Sequence, residues 1–386
     1  MTAAFKDRDA FAPGSARRKL SLTLTRYIAQ TFMTWFGIMA FCVSGIILLA
    51  SGLDTLNNLA GRVEVSLVTS IRFAVLKLPF IFQETLPFLV LFSSLATFWR
   101  LVRSHELVSM RAVGVSVWQF LTPVLICARL VGAVGTAALN PIASETYGIF
   151  EDQRRKVMDS EDSAMQVSGS GLWIRQPDLT SQSPSAVYIL QAREVDPRRS
   201  FTRDFIAFRY DDQGTFVERF DAETADLVGG AWKLSNVWVS GPERPSRFEE
   251  SVSIPSDLDF SKIEESFAKS ETVSFWELPG FISVLERAGF SATEHRLQYH
   301  RLLSLPLLLA AMALLAATTS LRPHRRGRVG LLLLTGIVTG FLVFIFSNVI
   351  FALGLSGKIP IVLAAWAPAG VTLMFGAALL LHLEDG

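Results

Sequence analysis

The stretch Leu78–Ser116, LPFIFQETLPFLVLFSSLATFWRLVRSHELVSMRAVGVS, decides the fold. It begins inside an apolar run, leaves that run at Arg100, carries a short polar segment, and enters a second apolar run at Val117. Apolar runs of roughly 20 residues cross a bilayer as helices, so two spans meet here across a compact charged loop. Within the loop Ser104 is placed to cap a helix over 104–113. Glu106 falls in the first turn, where a carboxylate suits the helix dipole. Leu107, Met110 and Arg111 share one side at helical spacing, and Gly114 is a natural stop. A surface helix with an apolar stripe and one carboxylate fits a groove on a soluble partner. The plainer reading is a helix that only tidies a connection.

Working outward, Tyr27–Leu53 carries no charge and reads as span one. Phe73–Trp99 is span two despite Lys77 and Glu84, and Val117–Asn140 is span three despite Arg129. From Pro141 charges become frequent, and no spanning run returns until Leu302–Leu321, Val329–Leu353 and Ile359–Leu383, which read as spans four to six. Between them Ala186–Ala192, Asp204–Tyr210, Thr215–Phe220 and Ala231–Ser240 are rich in β-branched and aromatic residues and are separated by turn signals such as Asp211-Asp212-Gln213-Gly214 and Gly229-Gly230. Short strands at that spacing indicate an all-β sandwich or jelly roll, with Val187, Tyr188, Ile189, Phe205, Ile206 and Phe208 as candidates for its apolar interior. Glu271–Ala288 reads as a helix leading back to the bilayer. The fold class is therefore a membrane α-helical protein of six transmembrane helices with an inserted all-β, jelly-roll-like domain. Its parts are an interfacial segment 1–26, spans one to three with the loop helix over 27–140, the β domain and linker helix over 141–290, and spans four to six over 291–386.

The bulk numbers agree. The chain of 386 residues is 50% hydrophobic and 18% charged, with mean hydropathy +0.38, too apolar for an ordinary soluble enzyme. A net charge of +1 gives no basis for nucleic-acid binding. Cys42 and Cys127 lie in apolar runs and read as packing residues, not as a disulfide or metal pair. The first apolar run starts late and is too long for a cleavable signal. Lys and Arg concentrate in the N-terminal tail (six), the Arg100–Ser116 loop (three) and the Arg322–Arg328 loop (four), against two and one in the opposite loops. By the positive-inside rule both termini are then cytoplasmic and the β domain is outside, which in a bacterial inner membrane is the periplasm.

Chemistry is sparse. Gly354-Leu-Ser-Gly357-Lys358 superficially resembles a phosphate loop, but its spacing is wrong and Ile follows the Lys. No HExxH, CxxC or GxSxG occurs. His295 and His300 read as interfacial polar residues. No catalytic residue, metal ligand or directly bound cofactor is expected, so any work must draw on a partner or an ion gradient. Glu84 and Arg129 each lie about 11 residues from the outer end of their span, roughly 16 Å deep at about 1.5 Å per residue. A lone charge there costs on the order of 3 kcal/mol, so the two are expected to pair as a clamp between spans two and three, with an ion relay as the alternative.

The Pro79/Pro87 pair, the block Glu106-Leu107-Val108-Ser109-Met110-Arg111-Ala112-Val113-Gly114, Gly171-Leu172-Trp173 and Ala365-Trp366-Ala367-Pro368 together resemble the permeases of the lipopolysaccharide export ABC transporter, the LptF/LptG family. The resemblance covers nearly the whole chain. Its Gly-Leu-Trp and the block after Glu106 are closer to the LptG branch. It implies a permease subunit that pairs with a second permease of the family over two copies of a cytoplasmic ABC ATPase. ATP is then used by that partner. Lipopolysaccharide is extracted from the inner membrane and passed through the β domain to periplasmic bridge proteins with jelly-roll domains. Glu106 would sit in the helix that meets the ATPase, and spans one and five would face the other permease. One departure stands out. The family's LptG pattern carries lysines at the outer end of span one, where this chain reads Ser51-Gly-Leu-Asp54-Thr-Leu-Asn57-Asn58. Arg62, Arg72 and Lys77 are the candidates to supply anion contacts instead, with interfacial anchoring as the plainer role. The competing functions are an ion-coupled secondary transporter and a membrane-anchored periplasmic scaffold. A transporter of the first kind usually shows an internal repeat, and none is convincing here.

Overall fold

The computed structural model describes residues 22–59, 67–158, 165–168, 171–179, 186–196, 201–242, 244–256, 269–287, 290–320 and 329–385. Its apolar runs form α1 (Leu22–Leu59), α2 (Leu67–Arg103), α4 (Val117–Val134) continued by α5 (Asn140–Met158), α7 (Thr293–Ser320), α8 (Val329–Leu355) and α9 (Ile361–Asp385). These are spans one to six, and among the described residues six helices are long and apolar enough to cross a membrane. The loop helix is α3 (Glu106–Ala112), and α6 is Leu278–Arg287. Span four is the central helix: every residue from Leu309 to Thr318 is buried, as expected of a helix apolar on all sides. Leu309 and Ala313 join Leu86, Leu89 and Phe98 of span two and Phe120 and Val124 of span three in one core.

Span three does not stop at Asn140, beyond which the rise in charge indicated an end. A π-helical turn, Gly135–Leu139, carries it into α5 and on to Met158. Pro141 has no N–H to return to the carbonyl four residues back, and its ring crowds an ordinary turn. The wider π turn accommodates the ring, and the Ala137 carbonyl accepts instead from the Trp276 indole at 3.0 Å. Pro306 in span four frees the Leu302 carbonyl in the same way, and the buried Thr136 hydroxyl donates to it at 2.8 Å. Gly132 lies against Pro306: a Cβ there would stand 2.5 Å from the Pro306 Cα. Spans three and four are thus fitted together around Pro306.

The inserted domain is one antiparallel sheet in sequential order, β1 (Met165–Ser168), β2 (Gly171–Pro177), β3 (Val187–Asp196), β4 (Phe201–Tyr210), β5 (Phe216–Leu227), β6 (Ala231–Gly241) and β7 (Arg244–Pro255). The roll is a meander and not a set of Greek-key crossovers. The sheet nevertheless curls on itself: β2 and β7, five places apart in the order, meet where Gln176 donates to the Pro255 carbonyl (3.1 Å) and Ser256 donates to Gln176 (2.7 Å). Inside are Tyr188, Leu190, Phe205, Ala207, Phe220, Trp232, Leu234 and Val237, joined by Leu285 of α6 and by Phe290. Of the interior candidates, Tyr188 and Phe205 point inward. Val187, Ile189, Ile206 and Phe208 take the other face, because successive strand residues alternate.

That alternation slips once across the sheet. On β6 Trp232 and Leu234 are buried, then Val237 and Val239; on β5 Phe220 and Ala222, then Ala225 and Leu227. The slip is made by Asp204 (φ 51°) and Asn236 (φ 53°), residue types that tolerate the left-handed region. The Asn236 amide donates to Glu223 on the strand between them at 2.8 Å. The helix read over Glu271–Ala288 is shorter than expected, a 3-10 turn at Ser270–Thr272 followed by α6.

Candidate functional site

At the end of the bundle away from the sheet, α3 joins spans two and three. Its start differs from the sequence reading. Ser104 does not cap it; the Ser104 hydroxyl donates to the Arg100 carbonyl and closes span two. The residue before the helix is His105, held at φ 59° with no side-chain cap. The end is as read: Gly114 sits at φ 89°, with its N–H on Arg111 and the Val115 N–H on Met110, a Schellman closure.

The faces of α3 are also reassigned. Leu107 is buried in the bundle core and Met110 packs against it, so the apolar stripe anchors the helix to the spans and does not face outward. Glu106 is half-buried, and the Tyr27 hydroxyl of span one donates to its Oε1 at 3.2 Å. The surface that remains exposed is Val108, Ser109, Arg111, Ala112 and Val113, beside Arg100 and Arg103. Glu106, Leu107 and Met110 therefore position α3, while Arg111 and its exposed neighbours are what a partner would meet.

The intramembrane charges are partnered differently from the expectation. Glu84 does not meet Arg129. Its Oε2 accepts from Arg301 Nη2 of span four at 2.6 Å, and the Arg301 guanidinium lies 5.4 Å from the Phe351 ring of span five. Arg129 faces outward, because the buried side of α4 runs through Val117, Phe120, Leu121, Val124, Ala128 and Gly132. Helix azimuth excludes Arg129, and the depth counted from the start of an apolar run did not find the partner either, since Arg301 stands at the outer end of span four. Arg301 was overlooked because it stands immediately before the apolar run of span four; its charge beside that run was the available signal.

Near the sheet end, Lys77 lies 3.9 Å from Asp54 of span one and 5.0 Å from the Phe150 ring. It is thus largely engaged within the chain. Arg72 is exposed, and Arg62 lies outside the described residues, as do residues 1–21 and the basic loop 322–328. His295 is buried beside the Phe281 ring (5.0 Å), so it belongs to the core and not to the interface. Among the described residues no group of His, Cys, Asp or Glu is placed to hold a metal.

Two further features join bundle and sheet. Asn140, 4% exposed, accepts from the Phe275 N–H at 2.7 Å and donates to Gln83 of span two at 3.4 Å. Glu151 of α5, 5% exposed, meets Lys269 and Arg154, each at 3.3 Å. Both hold the segment returning from the sheet against the helix leading into it. Neither was singled out in the sequence, since Phe275 and Lys269, the partners on the returning segment, lie more than a hundred residues away.

Spans one and five are the least covered. Met33, Ile38, Phe41, Ile46, Leu49 and Leu53 of span one are exposed, as are Ile337, Phe341, Leu342, Phe344, Ile345 and Val349 of span five. Both flank span two.

A polytopic bundle with an anchored loop helix at one end and a β roll fed by two of its spans at the other is the build of a membrane permease subunit. The family can be named. The chain belongs to the lipopolysaccharide export system permease LptF/LptG family, whose model matches residues 26–382. It is 22% identical over 363 residues to the lipopolysaccharide export system permease protein LptG of Escherichia coli K12, covering 93% of this chain and 98% of that protein. The same figures hold for LptG of Escherichia coli O6:H1.

Proposed function

We propose that this chain is the LptG-like permease subunit of an ATP-driven exporter of the bacterial inner membrane. It moves lipopolysaccharide from that membrane to a periplasmic bridge. A second permease of the family covers the exposed faces of spans one and five, and two copies of a cytoplasmic ABC ATPase supply the energy. The termini and α3 are cytoplasmic and the β roll periplasmic, in line with the distribution of Lys and Arg over the short loops.

The observation that carries this reading is the mounting of α3. Leu107 fixes it in the bundle and Glu106 is bonded to span one, while Val108, Arg111 and Val113 stay exposed. A push on the exposed face would reach span one through Tyr27 and spans two and three through the core. The β roll, rooted in spans three and four, would receive the displaced amphiphile, and exposed Arg72 is the basic side chain of this chain best placed to meet its anionic groups.

Co-purification in mild detergent tests it. The wild-type chain should retain an ATPase, and Arg111→Glu with Val113→Asp should lose it while the spans stay folded. Retention of the ATPase by that double variant, or unaided nucleotide hydrolysis by the purified chain, refutes the reading.

A further inference from the structure

Spans two, four, five and six line a partly open slot. It runs along span four from Gln298 to Met312 and along span five from Phe351 back to Gly340. At about 1.5 Å per residue these lengths are roughly 21 and 17 Å, close to the roughly 15 Å hydrocarbon depth of one leaflet. The walls are apolar along most of this length, with Leu305, Leu308, Met312, Val343 and Phe344. Polar groups gather at the sheet end, where Glu84 and Arg301 neutralise one another.

Two amides at that end are unused. Gln298 is 4% exposed and lines the slot, and its side chain has no hydrogen-bond partner among the described residues. Asn348, exposed at the slot's edge on span five, has none either. The Gln298 amide lines the slot, where a carbonyl would give it an acceptor. Methylenes laid against the apolar walls gain dispersion contacts along the slot. Gln298 lies about one helical turn before the apolar run of span four starts at Leu302, the level at which a lipid's ester groups meet its chains.

We propose that this slot is a binding site for one acyl chain of a bilayer phospholipid, with an ester carbonyl of the lipid accepting from the Gln298 amide. The chain enters beside Phe344 and Asn348 and lies between spans four and five. The slot sits inside a single subunit, and the Glu84–Arg301 pair leaves no net charge at its head. A multi-chain polyanionic cargo is therefore not its occupant. The site does not depend on the transport reading, since it is read without ATPase or cargo.

The test reconstitutes the full-length chain in nanodiscs of phospholipid carrying a photoreactive diazirine near the tail end. Illumination should label peptides 298–312 and 340–351. Ser347→Phe, which fills the slot, should lower the label on 298–312 at least fivefold and leave the label on the exposed faces of spans one and five unchanged. Should Ser347→Phe not fold, Asn348→Trp at the exposed edge blocks entry instead and carries the same expectation. Label on 298–312 that is insensitive to the blocking substitution overturns the proposal. So does label that appears there only when tail-labelled lipopolysaccharide replaces the phospholipid.

Discussion

Replacing Asn140 by Leu keeps the side-chain volume and removes both of its hydrogen bonds. The Phe275 N–H, now held at 2.7 Å, loses its acceptor in a site that is 4% exposed at position 140. An orphaned donor of this kind costs about 1–3 kcal/mol. The Gln83 contact, at 3.4 Å, is long and adds little. A central value of about 2 kcal/mol corresponds to roughly a 30-fold change in a local opening equilibrium, at tenfold per 1.4 kcal/mol. The chain is large and multi-part, so a global melting temperature is the wrong readout. Hydrogen–deuterium exchange of the peptide covering 270–278, in detergent, reports the local opening directly. Asn140→Leu should speed that exchange about 30-fold, and Gln83→Leu, which removes only the long contact, by no more than about threefold. Exchange in Asn140→Leu within twofold of wild type would show that Asn140 does not hold the returning segment, and the account of how the roll is rooted would fall with it.

Other outcomes follow from the same packing. Gly132→Ala drives a methyl into the Pro306 backbone, so spans three and four must separate. A loss of about 1–3 kcal/mol is expected, read as a lower aggregation temperature in detergent, and an unchanged temperature would contradict the close approach. Arg301→Met leaves Glu84 unpaired. The Arg301 and Glu84 side chains are 41% and 34% exposed, so solvent screening should hold the loss to about 1–2 kcal/mol, below that of a fully enclosed pair. Adding Glu84→Gln should recover most of it, and additivity in that cycle would refute the pairing.

What could be read before any coordinates followed from the strength of each signal. Span positions came from long uncharged runs, and the Gly114 stop from a residue suited to φ 89°. Strands β3 to β6 were visible through β-branched and aromatic residues. Strand β7 was not, because Arg247, Glu249 and Glu250 give it the charged surface of an edge strand. The charges beyond Asn140 indicated the end of span three, and the π turn together with Trp276, distant in sequence, lets the helix continue past Pro141. The Glu84 partner was misassigned because depth counted from the start of an apolar run missed Arg301, which stands just before span four, and because azimuth depends on which faces pack. The faces of α3 were misassigned for the same reason. A short helix needs something to hold it, and its apolar stripe was already committed to Phe98, Val117 and Phe120.

The row through Asp204, Glu223 and Asn236 bears on any attempt to probe the roll with single cysteines. Before that row on β6 the even-numbered positions look into the lumen, and beyond it the odd-numbered ones do. On β5 the parity changes between Ala222 and Ala225. A label walked along either strand would therefore report two adjacent accessible sites at the crossing, a doublet that reads as local fraying to anyone assuming uniform pleating. Pairs chosen for cross-linking from opposite halves of the domain need their numbering offset by one to share a face.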